Sequence, residues 1–311
     1  MEDFHHISVM PSESIELLNA TAGGRFIDCT LGAGGHSRLI LEANDSNELL
    51  GIDQDQDALA AAGRNLSEFS ERTALCHGSF SDMAMLCQQH GWDKVDGILM
   101  DIGVSSHQID NKTRGFSFRE DGPLDMRMNQ RSSVSASTII NQWSEEELKR
   151  IFKEYGEVKR AGTVAREIVE RRAKKPFATT SDLAKLIEDV DKVTGRKKKS
   201  SAMLYFQALR IAVNDELGEL KRALDAAMGL LKPGGRLVII TFHSLEDRMV
   251  KNFFKLKSTD CTCPPQFPIC ICGTIPVVKI INRKVIIAGK DEVTNNSRAN
   301  CAKLRAIVKL P

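Results

Sequence analysis

The sequence predicts an α/β fold: a mainly parallel sheet, with a run of helices inserted between two of its strands. Three observations predict it. Short apolar stretches each end on an acidic residue or in a turn, helical patterns fill most of the intervals between them, and from about Ser132 to Asp191 helical signals take over. At 311 residues, 42% hydrophobic and 27% charged, the chain can bury a large core and carry an insertion as well. The formal net charge of +2 gives no general attraction for polyanions, so any nucleic-acid binding would have to come from local basic patches.

Met1–His6 lacks the basic start and apolar run of a signal peptide, and no apolar stretch is long enough to span a bilayer. A soluble, cytoplasmic protein is expected. Pro11-Ser12-Glu13 opens a helix that runs to Asn19 and stops at Thr21-Ala22-Gly23-Gly24. Phe26-Ile27 then forms a first strand, and Asp28-Cys29-Thr30-Leu31-Gly32-Ala33-Gly34-Gly35-His36-Ser37 turns it into a helix through Leu39-Ile40-Leu41. Glycine is suited to such a turn because it adopts φ > 0 and lets backbone approach a ligand closely. An acid at the strand end disfavours a pyrophosphate, which seeks a helix N-terminus without a neighbouring carboxylate. The cationic sulfonium and amine of S-adenosylmethionine tolerate Asp28, so this turn favours that ligand over a dinucleotide.

A second strand, Leu49-Leu50-Gly51-Ile52, ends at Asp53, where doubly wound sheets grip a ribose diol; the alternative is a cap for the helix that follows. The third strand, Thr73–His77, leads to Phe80, a wall for a purine or a core residue. Val95–Met100 is the fourth strand and ends at Asp101. Asp28, Asp53, Phe80 and Asp101 would therefore converge on one crevice. The turn-rich run Arg114–Met128 reads as a specific loop beside it, in which Phe116 or Phe118 could stack on a base or pack internally.

Ser144-Glu145-Glu146-Glu147 opens an insertion helix with a capping box, Val164–Arg172 has one apolar face, and Thr180-Ser181-Asp182 opens another helix. The clusters Arg171-Arg172-Ala173-Lys174-Lys175 and Arg196–Lys199 are solvated surface or phosphate contacts. One helix is expected over roughly Leu204–Leu231, then a turn at Lys232–Arg236 and a buried strand at Leu237–Ile240. His243, Ser244 and Asp247 are too close in sequence for a hydrolase relay and lack a nucleophile elbow. Of eight cysteines, Cys29, Cys76, Cys87 and Cys301 read as isolated thiols, while Cys261, Cys263, Cys270 and Cys272 form two Cys-x-Cys pairs. Four thiolates can hold zinc, but the one-residue spacing is unlike common zinc knuckles, so the pairs are read as thiols in preference to a metal site.

These runs, together with Asp96–Gln108, Phe206–Leu217, Pro233–Lys251 and Ala302–Arg305, resemble the MraW family of S-adenosylmethionine-dependent ribosomal RNA small subunit methyltransferases over nearly the full chain. The resemblance implies a Rossmann-like methyltransferase sheet with an inserted all-helical domain. The organisation expected is a first methyltransferase part over 1–110, a helical RNA-substrate domain over 111–205, and a second methyltransferase part over 206–311. It implies S-adenosylmethionine as co-substrate on Gly34, Gly35, His36, Asp53, Phe80, Asp101 and Gln108, with Asp101 also catalytic. The substrate implied is the N4 amine of a cytidine in the decoding region of 16S rRNA in the small subunit, with neither DNA nor membrane as partner. Two stretches depart from the family pattern. Ser200–Leu204 stands where relatives carry His-Pro-Ala-Thr-Arg, and Asn295–Asn300 lacks a proline and one arginine; both bear on RNA contacts more than on donor binding. A non-catalytic RNA-binding assembly factor on the same fold, and a nicotinamide dehydrogenase, are the rival readings.

Overall fold

The structure is a computed structural model that describes residues 8–192, 201–261, 263, 267, 269 and 271–311. The reading of Met1–His6, the basic run Arg196–Lys199, Ser200 and Cys270 lie outside the described residues. Two compact units are present, Met1–Gly103 with Gly218–Pro311, and Val104–Leu217. The boundaries expected after 110 and after 205 both fall within the second unit.

The first unit is built on a sheet of β1 (Arg25–Asp28), β2 (Glu48–Asp53), β3 (Thr73–His77), β4 (Val95–Asp101), β5 (Leu231–Thr241), β6 (Val278–Ile280) and β7 (Lys303–Lys309). The spatial order is β3-β2-β1-β4-β5-β7-β6. Strands β1 to β5 run parallel, and β7 is antiparallel to both of its neighbours. Alternate residues of each strand serve opposite faces. Ile27, Leu50, Ile98, Leu237 and Ile239 pack into one core, Phe26, Leu49, Leu99, Val238 and Ile240 into the other. Burial on both faces explains why these strands read as continuous apolar runs. The chain runs outward from β1 to β3 and then returns to place β4 on the other side of β1. The strand order therefore reverses between β1 and β4, and open sheets bind ligands at the carboxyl ends of such a pair.

Two expected elements differ. Lys232–Gly235 is an irregular part of β5: pairing jumps from Val95↔Leu231 to Gly97↔Arg236, and the extra residues bulge out around Gly234 at φ 83°. A bulge is where Pro233, which has no N–H to give, is tolerated in a strand. The single helix expected over Leu204–Leu231 is two, Ser201–Asn214 and Glu216–Leu230, broken at Asp215 with φ 46°. Aspartate is among the few residues that visit this left-handed region readily. The Asn214 amide, at the break, donates to Met126 O at 2.9 Å and accepts from Met128 N–H at 2.8 Å.

The second unit is helical, with Ser106–Asp110, Ala136–Gln142, Glu145–Glu154, Ala161–Arg172, Thr180–Lys192 and Ser201–Asn214. Ser144 and Glu147 form a reciprocal capping box, and Leu148, Ile151 and Phe152 behind it are fully buried on one face. The run Arg114–Met128 is tied down by its backbone: Met126 N–H donates to Arg114 O at 3.0 Å and Leu124 N–H to Ala178 O at 3.1 Å. Phe116 and Phe118 are half-buried against the helical core, with Phe118 5.1 Å from the Phe206 ring.

Gly97 on β4 lets the first helix close on the sheet, because a Cβ there would stand 2.7 Å from Phe26 and 2.8 Å from Leu18. Gly97→Ala should therefore lose about 1–3 kcal/mol in urea unfolding through overpacking. Gly229→Ala, in an exposed helical position with nothing within 4 Å, should gain up to about 1 kcal/mol. Equal effects at the two sites would contradict this packing.

Candidate active site

The carboxyl ends of β1, β2 and β4 each carry an aspartate. Asp28 is 1% exposed; its carboxylate accepts from Ser37 Oγ at 2.7 Å and from Thr30 N–H at 3.2 Å. Burial raises the Asp28 carboxyl above its ordinary range, and these two donors only partly offset that. Asp53 accepts from Gly32 N–H at 2.8 Å on one oxygen and from Asp55 N–H at 2.9 Å on the other. The glycine turn thus hangs on the end of β2. Gly32 meets Asp53 at φ 52°, a conformation that favours glycine. Burial pushes the Asp53 carboxyl up to about 6. The cap of the helix Gln56–Asn65 is Asp55, not Asp53. A carboxylate has about four acceptor positions, so Asp53 keeps capacity for a hydroxyl pair.

Asp101 lies at the end of β4, where its N–H donates to Thr30 Oγ1 at 2.6 Å and so joins the β1 turn to β4. Its side chain is 12% exposed, and its Oδ1 is buried without a hydrogen-bond partner among the described residues. Burial, then the charges of Asp28 and Glu246, push this carboxyl up to about 8. Glu246, fully buried, was not singled out in the sequence, although the His243-x-x-Glu246 capping spacing signals it. Its Oε2 accepts from the N–H groups of Phe242 and His243 at 2.9 and 3.2 Å. The His243 ring caps the same helix, with Nδ1 accepting from Glu246 N–H at 3.4 Å.

No lysine or arginine among the described residues forms an ion pair with Asp28, Asp53 or Asp101. His36 lies beside them, with Nδ1 3.8 Å from Asp101 Oδ2. Its Nε2 lies 2.9 Å from Val9 O, which can only accept, so Nε2 carries the hydrogen. Burial lowers His36 to about 4, and it is neutral. Three carboxylates of raised proton affinity thus end three neighbouring strands without a compensating lysine or arginine among the described residues, an arrangement that favours a positively charged ligand.

Gly34, at φ 85°, precedes the helix Gly35–Ala43 that carries His36. Phe80 sits past β3 in a short 3₁₀ turn capped by Ser79, half-buried and packed against the core beneath. Gln108 belongs to the helical unit, where its Oε1 accepts from Ser105 N–H at 3.1 Å in a reciprocal cap. Among the described residues no helix is long and apolar enough to cross a membrane.

The Asp101 carboxyl holds its proton more tightly in the fold than its ordinary value of 3.8. The Asp101 contribution to stability is therefore constant below pH 4 and falls as pH rises toward 8, by at most about 1.4 kcal/mol per pH unit for one proton. Asp101→Asn should flatten the fall in melting temperature over that interval. Identical pH profiles for variant and parent would remove Asp101 from this balance.

The sequence model of the MraW methylase family matches residues 3–310. "Ribosomal RNA small subunit methyltransferase H" of Carboxydothermus hydrogenoformans is 48% identical over 308 residues, covering 99% of each chain. The proteins of that name from Symbiobacterium thermophilum and Desulfovibrio desulfuricans are 46% and 49% identical, over 99% of this chain and 97% and 95% of theirs. With a match that runs from end to end, across both the carboxylate-lined sheet and the helical unit, the chain belongs to the MraW methylase family.

Proposed function

We propose that the chain is an S-adenosylmethionine-dependent methyltransferase acting on the N4 amine of a cytidine in the decoding region of 16S rRNA, within the small ribosomal subunit. The observation that carries the reading is the set of Asp28, Asp53 and Asp101 at neighbouring strand ends, whose raised proton affinities and lack of a cationic partner among the described residues suit a cationic co-substrate. The buried Asp101 Oδ1, without a partner of its own, is an acceptor in want of a donor. A nicotinamide dinucleotide would instead bring its pyrophosphate toward these carboxylates, which disfavours the dehydrogenase reading. The substrate class rests on the names of the relatives, which are small-subunit ribosomal RNA methyltransferases.

When bound, S-adenosylmethionine supplies an electrophilic methyl on a positively charged sulfur. Asp53 would hold the ribose hydroxyls, the backbone at Gly34 and Gly35 would line the turn, and Phe80 would offer a face to the adenine. The resemblance adds His36 and Gln108 to this set. His36, donating to Val9 O, ties the first turn of the helix Gly35–Ala43 to the chain before the first helix. A cytosine amine is a weak nucleophile, so the residues around it work chiefly by positioning. Asp101, ionised when a cation lies beside it, accepts an amine proton at Oδ1. The helical unit is proposed to meet the rRNA. Support comes from its exposed cations Arg171, Lys174 and Lys175 at the end of the helix Ala161–Arg172.

Labelled S-adenosylmethionine supplied with undermethylated small subunits should yield N4-methylcytidine, mapped by nuclease digestion and mass spectrometry. Normal donor binding without that product would favour a non-catalytic assembly factor. Asp53→Ala should weaken donor binding by about 1.5–3 kcal/mol in calorimetry, the loss of a charge-assisted hydrogen bond. An unchanged affinity would exclude Asp53 from the site.

A further inference from the structure

From residue 258 to residue 277, between the helix Ser244–Lys257 and β6, the described residues form neither helix nor strand, and none of them is buried. Ile269, Ile271 and Ile275 are 74%, 75% and 79% exposed. Loops beyond about 12–15 residues without structure of their own are uncommon in compact domains, and none of the described residues of this stretch belongs to an apolar core. Its thiols nevertheless converge. The Sγ atoms of Cys261, Cys263 and Cys272 all lie within 4.8 Å of one another, with Cys272 and Cys261 4.0 Å apart.

Each sulfur also accepts a hydrogen bond. Cys263 N–H donates to Cys261 Sγ and Ile271 N–H to Cys263 Sγ, both at 3.4 Å, and Thr274 Oγ1 donates to Cys272 Sγ at 3.2 Å. Tetrahedral zinc with Zn–S near 2.3 Å separates its sulfurs by about 3.8 Å, close to the spacing observed. A disulfide would need about 2.05 Å, and all three residues are thiols. The one-residue spacing that argued against a zinc knuckle matters less once residues from both pairs are brought together by the fold.

We propose that Cys261, Cys263 and Cys272 bind one zinc ion as thiolates, releasing their protons to solvent, and that the ion orders the loop. Three soft thiolates select zinc over magnesium or calcium and leave one position for a fourth ligand. The site is separate from the aspartates of β1, β2 and β4, and its role is structural.

Full-length protein purified under reducing conditions without chelator should contain about one zinc ion per chain by elemental analysis. Zinc should be lost in Cys261→Ser and in Cys272→Ser, and kept in Cys301→Ser, whose thiol lies outside the cluster. Cobalt added to metal-free protein should give the absorption bands of a tetrahedral thiolate site, weakened in the first two variants. The proposal is overturned by protein that neither contains nor takes up zinc when reduced, by iron in its place, or by undiminished zinc in both serine variants.

Discussion

Asp28 and Asp101 end the two strands on either side of the point where the sheet reverses its order, and Asp53 ends the next strand out. Each is drawn out of water by the layers that cover the sheet, and each carboxyl is shifted upward chiefly by that burial. Charges held close in a medium of low effective dielectric repel strongly, so the three cannot all ionise cheaply while no lysine or arginine among the described residues is paired with them. A parallel sheet gives no way around this, because it delivers every strand's carboxyl end to the same edge. The fold thus stores an electrostatic demand at one place, and in the proposed reading a cationic ligand would answer it.

The surrounding hydrogen bonds hold that arrangement in register. Thr30 Oγ1 takes the Asp101 N–H, Ser37 Oγ donates to Asp28, and Gly32 N–H donates to Asp53, so the turn after β1 is fastened to the ends of β1, β2 and β4. Glu246 adds a fourth buried carboxylate whose charge raises Asp101 further, while its own Oε2 is satisfied by two backbone N–H groups. His36 is kept neutral by burial and does not relieve the crowding.

The parallel core was legible because strands covered on both faces are apolar throughout, as at Leu49–Ile52 and Ile98–Met100. The turn Asp28–Ser37 was legible because glycine marks unusual backbone, as Gly32 and Gly34 show with φ of 52° and 85°. Strands β6 and β7 escaped notice: β6 is short, and β7 alternates Lys303, Leu304, Arg305 and Ala306, with Lys303 and Arg305 paired to Asp247. The break at Asp215 was invisible to helical periodicity because the contacts of Asn214, to Met126 and Met128, are made with residues far away in sequence. In the same way, hydrogen bonds such as Thr30 to Asp101 depend on which strands become neighbours, information that no local pattern carries.

The measurement that tests the electrostatic account most directly is the pH dependence of binding for two ligands of otherwise similar shape, one with a sulfonium charge and one without it. Calorimetric titration with S-adenosylmethionine and with S-adenosylhomocysteine, in buffers of different ionisation heat between pH 6 and pH 9, reads both affinity and proton release. With Asp101 raised to about 8, the sulfonium ligand should bind more tightly as pH rises toward that value and should release protons on binding. The neutral thioether should show a clearly weaker dependence. The same pH profile and proton count for both ligands would contradict the view that these buried carboxylates select a cation.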